Sequence, residues 1–208
     1  MKNKSYIGIS FIILIFGIYA VPRIVDKLNG NDLQVMRRAP KFELTDQNNK
    51  TISNKDYEGK VYVLEFFFST CPSICPIMNG NMVKIQNEFF GNPNFGIASI
   101  TINPGKDTPE VLKAHAKKIG ATAVNWHFLT GDGDYIYNIA NNGFNIYAGQ
   151  SKKAEGGFEH SGLFALIDKE GNIRCRKDES GNPILYYDGL TKEGVNAIKE
   201  DIKLLLEE

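Results

Sequence analysis

The segment Phe66-Phe67-Phe68-Ser69-Thr70-Cys71-Pro72-Ser73-Ile74-Cys75-Pro76 sets two cysteines three residues apart, each followed by proline. A thiol near a helix N-terminus feels unpaired N–H groups and the positive end of the helix dipole, and both favour thiolate. Thiolate is the form that attacks disulfides and the form that binds metals. The pair therefore supports a redox disulfide, a metal site or a structural disulfide. Thioredoxin-type reductases place two residues between their cysteines, and Cys71 and Cys75 are separated by three. The wider loop can still close a disulfide if the Cα atoms come within about 4.4–6.8 Å. It can also let both sulfurs meet one ion. Two thiolates leave a metal under-coordinated, so a metal site requires a third ligand from elsewhere in the chain.

Three histidines are available. His115 falls mid-helix with Leu112 and Ile119 and reads as a packing residue. His127, in Trp126-His127-Phe128-Leu129, reads as structural at a strand edge. His160 lies in Gly156-Gly157-Phe158-Glu159-His160-Ser161-Gly162, a loop leading into a strand, where function is commonly carried. The ordinary alternative for a loop histidine is simple solvation. Met78 and Met82 could add thioethers, but they share a helical stripe with Ile85 and Phe89 and read as core. Cys175, between Arg174 and Arg176, reads as a spare thiol.

Several elements must position these residues. Lys60 to Phe68 is a β-branched and aromatic run that suits a central strand covered on both faces. Proline disfavours helical geometry in the residue before it and is welcome at the first helical position. The helix is therefore expected to begin at Pro76, with Cys75 near its N-cap and Cys71 in the turn after the strand. Gly96 to Ile102 is a second strand. Asp107-Thr108-Pro109-Glu110 opens a helix that stops at Gly120. A further strand is expected within 123–129 and a short helix over 134–142. Gly162 to Asp168 is a strand followed by a turn at Lys169-Glu170-Gly171-Asn172 and a return strand from Ile173. Thr191 caps a last helix with the apolar stripe Val195, Ile198, Ile202 and Leu205. Alternating strands and helices predict an α/β domain with a mixed sheet. A cysteine pair that follows a central strand and opens a helix occupies the thioredoxin active-site position.

The chain has 208 residues, with 24 basic and 24 acidic side chains that cancel. No basic stripe marks a nucleic-acid partner. Three cysteines are too few for a disulfide-built scaffold. Tyr6 to Val21 carries no charge, and sixteen helical residues span about 24 Å, slightly short of a hydrocarbon core of about 30 Å. With Tyr6 at the interface and Lys4 and Arg23 snorkelling, residues 1–22 are expected to form an uncleaved membrane anchor. Residues 23–38 are expected to be a polar linker and 39–208 the folded domain.

Four blocks in this order resemble the Sco/SenC family. They are the cysteine segment, Asp107-Thr108-Pro109-Glu110-Val111-Leu112, Trp126-His127-Phe128-Leu129-Thr130-Gly131, and Glu159-His160-Ser161 leading into Leu166-Ile167-Asp168. The order and spacing agree over about residues 39–205. The resemblance implies a thioredoxin-like mixed sheet flanked by helices, with an inserted β-hairpin and a preceding transmembrane helix. It implies copper, Cu(I) or Cu(II), held by Cys71, Cys75 and His160. It further implies delivery of that copper to the copper-bearing subunit of cytochrome c oxidase during assembly. A thioredoxin-type thiol reductant, a bacterial inner membrane and a periplasmic soluble domain complete the expectation. One departure is visible. The family commonly has an acid before the proline of its D-P-x-x-D-T-P segment, and this chain has Asn103 there, which puts in doubt any acid role at that spot.

Two thiolates and an imidazole form a soft, low-coordinate set suited to Cu(I), able to hold Cu(II) with added ligands. A Cys71–Cys75 disulfide cannot ligate, so redox state would gate binding. The rival functions are a thiol–disulfide oxidoreductase in which Cys71 and Cys75 are the catalytic pair without a metal, and a zinc protein using the same three residues.

Overall fold

A computed structural model describes residues 10–11, 13–21, 33–151, 153, 156–178 and 180–208. Its strands are β1 (Gln34–Arg38), β2 (Glu43–Asp46), β3 (Thr51–Ser53), β4 (Val61–Phe67), β5 (Phe95–Thr101), β6 (Trp126–Thr130), β7 (Ala148–Gln150), β8 (Phe158–His160), β9 (Leu163–Ile167), β10 (Asn172–Lys177), β11 (Pro183–Ile184) and β12 (Tyr187–Asp188). The helices are α1 (Cys75–Glu88), α2 (Pro109–Ile119), α3 (Gly133–Asn138) and α4 (Lys192–Glu207), and α3 runs on into a π-helical turn, Ile139–Phe144.

The main sheet has the order β1-β10-β9-β4-β5-β6-β2-β3, with β11 and β12 attached beside β10 and β9. β4, β5 and β6 are mutually parallel, and every other pairing is antiparallel. The sheet is therefore mixed, as the alternating pattern predicts. β4 is central and buried at every position, which is why it lacks a polar-apolar alternation. Side chains of a strand alternate between faces. Phe67 stacks on His115 of α2, and Asn79 of α1 meets the same histidine, so the odd-numbered face of β4 lies under these helices. Phe66, on the opposite face, packs edge-on against Phe144 of the π-helical turn.

Local chemistry accounts for the helix limits. Thr108 caps α2 by accepting the Val111 N–H, Pro109 follows at the first position, and Gly120 ends the helix in the left-handed region. This agrees with the helix start expected from Asp107-Thr108-Pro109-Glu110, while the Asp107 carboxylate is engaged elsewhere. The apolar stripe Met78, Met82, Ile85 and Phe89 is buried, as are Val195, Ile198, Ile202 and Leu205. The Asp168 carboxylate accepts the N–H groups of Glu170 and Asn172 and closes the β9–β10 turn.

Other expectations need correction. Residues 34–38, at the end of the predicted linker, form β1 and pair with β10. The strand expected within 123–129 begins only at Trp126. The helix expected over 134–142 is a short α-helix that widens into the π-helical turn. Half of the predicted anchor, residues 1–9, 12 and 22, lies outside the described residues. Residues 13–21 are helical, with Ile13, Leu14, Phe16 and Ile18 exposed. Among the described residues, no helix is long and apolar enough to cross a membrane.

Candidate metal centre

Cys71 and Cys75 follow β4 at its C-terminal end. The turn is held first by the backbone, where the Cys71 N–H donates to the Phe68 carbonyl at 3.2 Å. Asp107, fully buried, then ties it to the next crossover. Its carboxylate accepts the Ser69 N–H at 3.0 Å and the hydroxyls of Ser69 and Thr101. A buried carboxylate with three donors is a strong fixed point. The loop carrying Cys71 is thereby pinned to the end of β5.

α1 begins at Cys75 itself, with Ile74 at the N-cap and Pro76 at the second position, so Cys75 lies one place deeper in the helix than expected. No side-chain oxygen caps this helix. The Cys71 sulfur takes that place and accepts the Cys75 N–H at 3.5 Å. The exposed N–H groups of a first turn need such a partner.

His160 arrives from the other side of the chain. β7 and β8 form a separate two-stranded hairpin in which His160 pairs with Ala148. The Asn141 amide clasps Ala148, donating to its carbonyl at 2.8 Å and accepting its N–H at 3.0 Å. This fixes β7 and with it the register of His160. Gly156, with φ of 87°, sits in the connecting turn, and a Cβ there would come within 3.0 Å of the Phe68 ring and 3.1 Å of Pro72. The hairpin thus needs glycine to lie down against the cysteine segment. Phe68 meets the rings of both Phe158 and His160. His160 is not the loop histidine of the sequence reading. It ends a strand and is only 8% exposed.

The three predicted ligands come together. Cys71 Sγ, Cys75 Sγ and a ring nitrogen of His160 all lie within 4.8 Å of one another. His160 Nε2 is 3.1 Å from Cys75 Sγ, across 85 residues of sequence. Its Nδ1 is 3.1 Å from the Ser161 carbonyl, which can only accept. Nδ1 therefore carries the proton, and Nε2 turns a lone pair toward the sulfurs. Burial lowers the His160 pKa, against the pull of the Ser161 carbonyl, and favours this neutral form.

The two thiols differ. Burial pushes Cys75 far up, and the neighbouring Cys71 and Glu65 push the same way. Burial also acts on Cys71, but the Cys75 N–H and the contacts with Cys75 and Ser73 outweigh it, and its pKa falls below the usual thiol value. Cys71 is 8% exposed and Cys75 1%. The outer sulfur is thus the one whose thiolate is favoured, and the inner one is held as a thiol by its burial. All three cysteines are free thiols in this structure.

The remaining candidates stay outside the cluster. His115 contacts Asn79 and stacks on Phe67, and His127 pairs with Asp46 at 3.2 Å. Met78 and Met82 are core. Cys175 is fully buried in β10, and Arg174 and Arg176, its sequence neighbours, are both occupied by carboxylates. Asn103 is buried with its side-chain Nδ2 lacking a partner. Sequence reasoning passed over Asp107 as an anchor, Asn141 as a clasp and Glu65 altogether. The signal for Glu65 was present, as the single acid inside an otherwise apolar central strand.

The comparisons agree with this geometry. Residues 31–193 match the family model described as SCO1/SenC. The chain belongs to the SCO1/SenC family. It is 30% identical to a SCO1 protein homolog of Bacillus subtilis over 156 residues, 73% of this chain and 78% of the relative. BsSco, reported with a disulfide switch as a member of the Sco family of cytochrome c oxidase assembly proteins, superposes with a TM-score of 0.68 at 25% identity, covering 83% of this chain and 94% of that one. Yeast Sco1 with copper bound superposes with a TM-score of 0.60 at 26% identity, over 81% and 90%. These neighbours share the thioredoxin-like Sco fold.

Proposed function

We propose that this chain is a copper-handling protein of cytochrome c oxidase assembly. In this reading it binds one copper ion through Cys71 Sγ, Cys75 Sγ and His160 Nε2 and passes it by ligand exchange to the copper-bearing subunit of the oxidase. The observation that carries it is the convergence of two buried sulfurs and an imidazole nitrogen within 4.8 Å. The donor set is soft and low-coordinate, which suits Cu(I). The copper-bound state of the yeast relative supports the choice of metal.

A membrane anchor at residues 1–22 would hold the domain on the periplasmic side of a bacterial inner membrane. The exposed apolar side chains of residues 13–21 support an anchor in that segment. A disulfide between Cys71 and Cys75 would be the metal-free off state, opened by a thioredoxin-type reductant. The unequal thiols favour one second reading, a thiol–disulfide oxidoreductase in which the Cys71 thiolate attacks a disulfide between the oxidase subunit's cysteines, and Cys75 then releases that subunit as a dithiol by closing the Cys71–Cys75 disulfide.

An anaerobic titration of copper and zinc in competition, against a strong Cu(I) chelator, tests the assignment. Reduced protein should take up one equivalent of Cu(I), disulfide-oxidised protein none, and His160→Ala should bind more weakly while keeping a titratable Cys71–Cys75 couple. If reduced wild type took no Cu(I) from the chelator, the copper reading would fail and the oxidoreductase reading would stand alone.

A further inference from the structure

The β7–β8 hairpin carries His160, yet it forms a two-stranded sheet of its own. A lone two-stranded ribbon is marginally stable in water, so groups outside the ribbon must hold the imidazole against the sulfurs. On the outer flank of β7 that task falls to one side chain, Asn141, half-buried in the π-helical turn Ile139–Phe144. Its amide donates to the Ala148 carbonyl at 2.8 Å and accepts the Ala148 N–H at 3.0 Å. Both backbone groups of Ala148 therefore face Asn141 and turn away from β8. Ala148 and His160, opposite each other in the ribbon, form a rung without mutual hydrogen bonds, the kind in which two side chains stand closest.

The next rung carries the connection to the ring. The Ser161 N–H donates to the Tyr147 carbonyl at 3.3 Å, and the Ser161 carbonyl accepts the proton of His160 Nδ1 at 3.1 Å. Tyr147 adjoins Ala148 in the chain, so the grip of Asn141 reaches the imidazole through Ala148, Tyr147 and Ser161. The turn that presents Asn141 is itself fixed to the main sheet. Phe144 packs on Phe66 of β4, and the Tyr186 hydroxyl donates to the Phe144 carbonyl. The Ala140 carbonyl accepts the N–H groups of Asn145 and Ile146 and closes the turn. β4 thus supports both halves of the site, the cysteines directly and the histidine by way of Asn141.

We propose that Asn141 is a positioning residue of the metal centre: its amide serves the β7–β8 ribbon as a third strand and aims His160 Nε2 at the two sulfurs. This rests on the copper reading and extends it to a side chain outside the ligand set. Without the clasp the ribbon slackens, while Cys71 and Cys75 keep their places after β4 and at the start of α1. A Cu(I) ion bound there is then left with two sulfurs. Groups that orient a metal ligand in this way contribute roughly ten- to hundredfold in affinity.

The test compares wild type, Asn141→Ala and a control, Asn142→Ala, whose amide reaches only Asn138 at the surface. In the metal-free full chain, amide exchange followed by NMR should speed up about tenfold at Ser161 in Asn141→Ala, the loss of about one net hydrogen bond. Amides of β4 and β5 should keep their wild-type rates. The His160 ring nitrogens should change from the Nδ1–H tautomer to a mixture. With one equivalent of Cu(I), X-ray absorption of Asn141→Ala should retain two sulfurs and lose imidazole nitrogen, and Asn142→Ala should match wild type throughout. If Asn141→Ala does not fold, Asn141→Asp has the same shape but cannot donate to the Ala148 carbonyl, and it must raise Ser161 exchange too. Unchanged Ser161 exchange and ring signals would overturn the proposal. So would equal acceleration at Ser161, β4 and β5, which marks a merely structural role, or a wild-type nitrogen signal in copper-loaded Asn141→Ala. The exchange and ring signals need no metal, so they decide the role of the clasp even if wild type takes up no copper, an outcome that would sink the copper reading instead.

Discussion

Arg174 and Arg176 on β10 and the Cys71–Cys75–His160 cluster beyond β4 both bury polar chemistry, and they treat it in opposite ways. Arg174 bonds Asp168, both oxygens of Glu208 and the Leu33 carbonyl. Arg176 grips both oxygens of the buried Asp201, with Glu200 and the Ala197 carbonyl beside them. These groups neutralise one another and fasten α4 to the sheet. Around the cysteines, polar atoms are left over. Among the described residues, buried side-chain atoms of Glu65, Asn79 and Ser161 lack a partner, on the strand before the cysteines, on the helix that Cys75 opens and next to His160. Paired charges fasten the helix to the sheet, while the cysteine–histidine cluster leaves its donor atoms free for an ion.

The contrast should break hardest at Arg176. Arg176→Ala leaves Asp201 buried with its charge unpaired, at a cost of about 3 kcal/mol or more. Thermal melting should show this loss, with copper affinity of the folded protein unchanged. A parallel loss of copper affinity would mean that the two regions are one unit. Asp107→Ala comes next. It strands the Ser69 and Thr101 donors at roughly 1–3 kcal/mol in denaturant unfolding, and unlike Arg176→Ala it should also speed copper release, because the Cys71 turn loses its anchor.

A third expectation separates the thiols. Iodoacetamide should modify Cys71 first, and the rate should rise with pH through a midpoint below that of an ordinary thiol, because only the thiolate reacts and the Cys71 pKa is lowered. Peptide mapping reads the order, and faster modification of Cys75 would invert the assigned roles. The smallest effect is Cys175→Ala. Removing one sulfur from a packed strand costs on the order of 1 kcal/mol. Copper stoichiometry should stay at one, which marks Cys175 as packing.

Much of this was legible in the residues. The run from Lys60 to Phe68 announced a central strand, Thr108-Pro109 and Thr191 announced helix starts, and the core stripes of α1 and α4 followed from their spacing. His160 was singled out correctly and surrounded wrongly. Two glycines suggested an open loop, but Gly156 serves to press the β7–β8 hairpin against Phe68 and Pro72, which no local pattern reveals. Residues 34–38 read as linker because β1 is an exposed edge strand held by pairing to a partner far along the chain, as in Gln34 opposite Cys175. Asp107 read only as part of a helix-opening segment because its true partners, Ser69 and Thr101, come from other elements. Long-range partners of polar residues are set by tertiary packing, and sequence spacing carries little trace of them.

X-ray absorption at the copper edge, on the reduced full chain loaded with one equivalent of Cu(I), tests the central claim most directly. The account predicts two sulfur scatterers and one imidazole nitrogen, with the nitrogen lost in His160→Ala and both sulfurs retained. An imidazole signal that survives His160→Ala, or a wild-type site with fewer than two sulfurs, would contradict it.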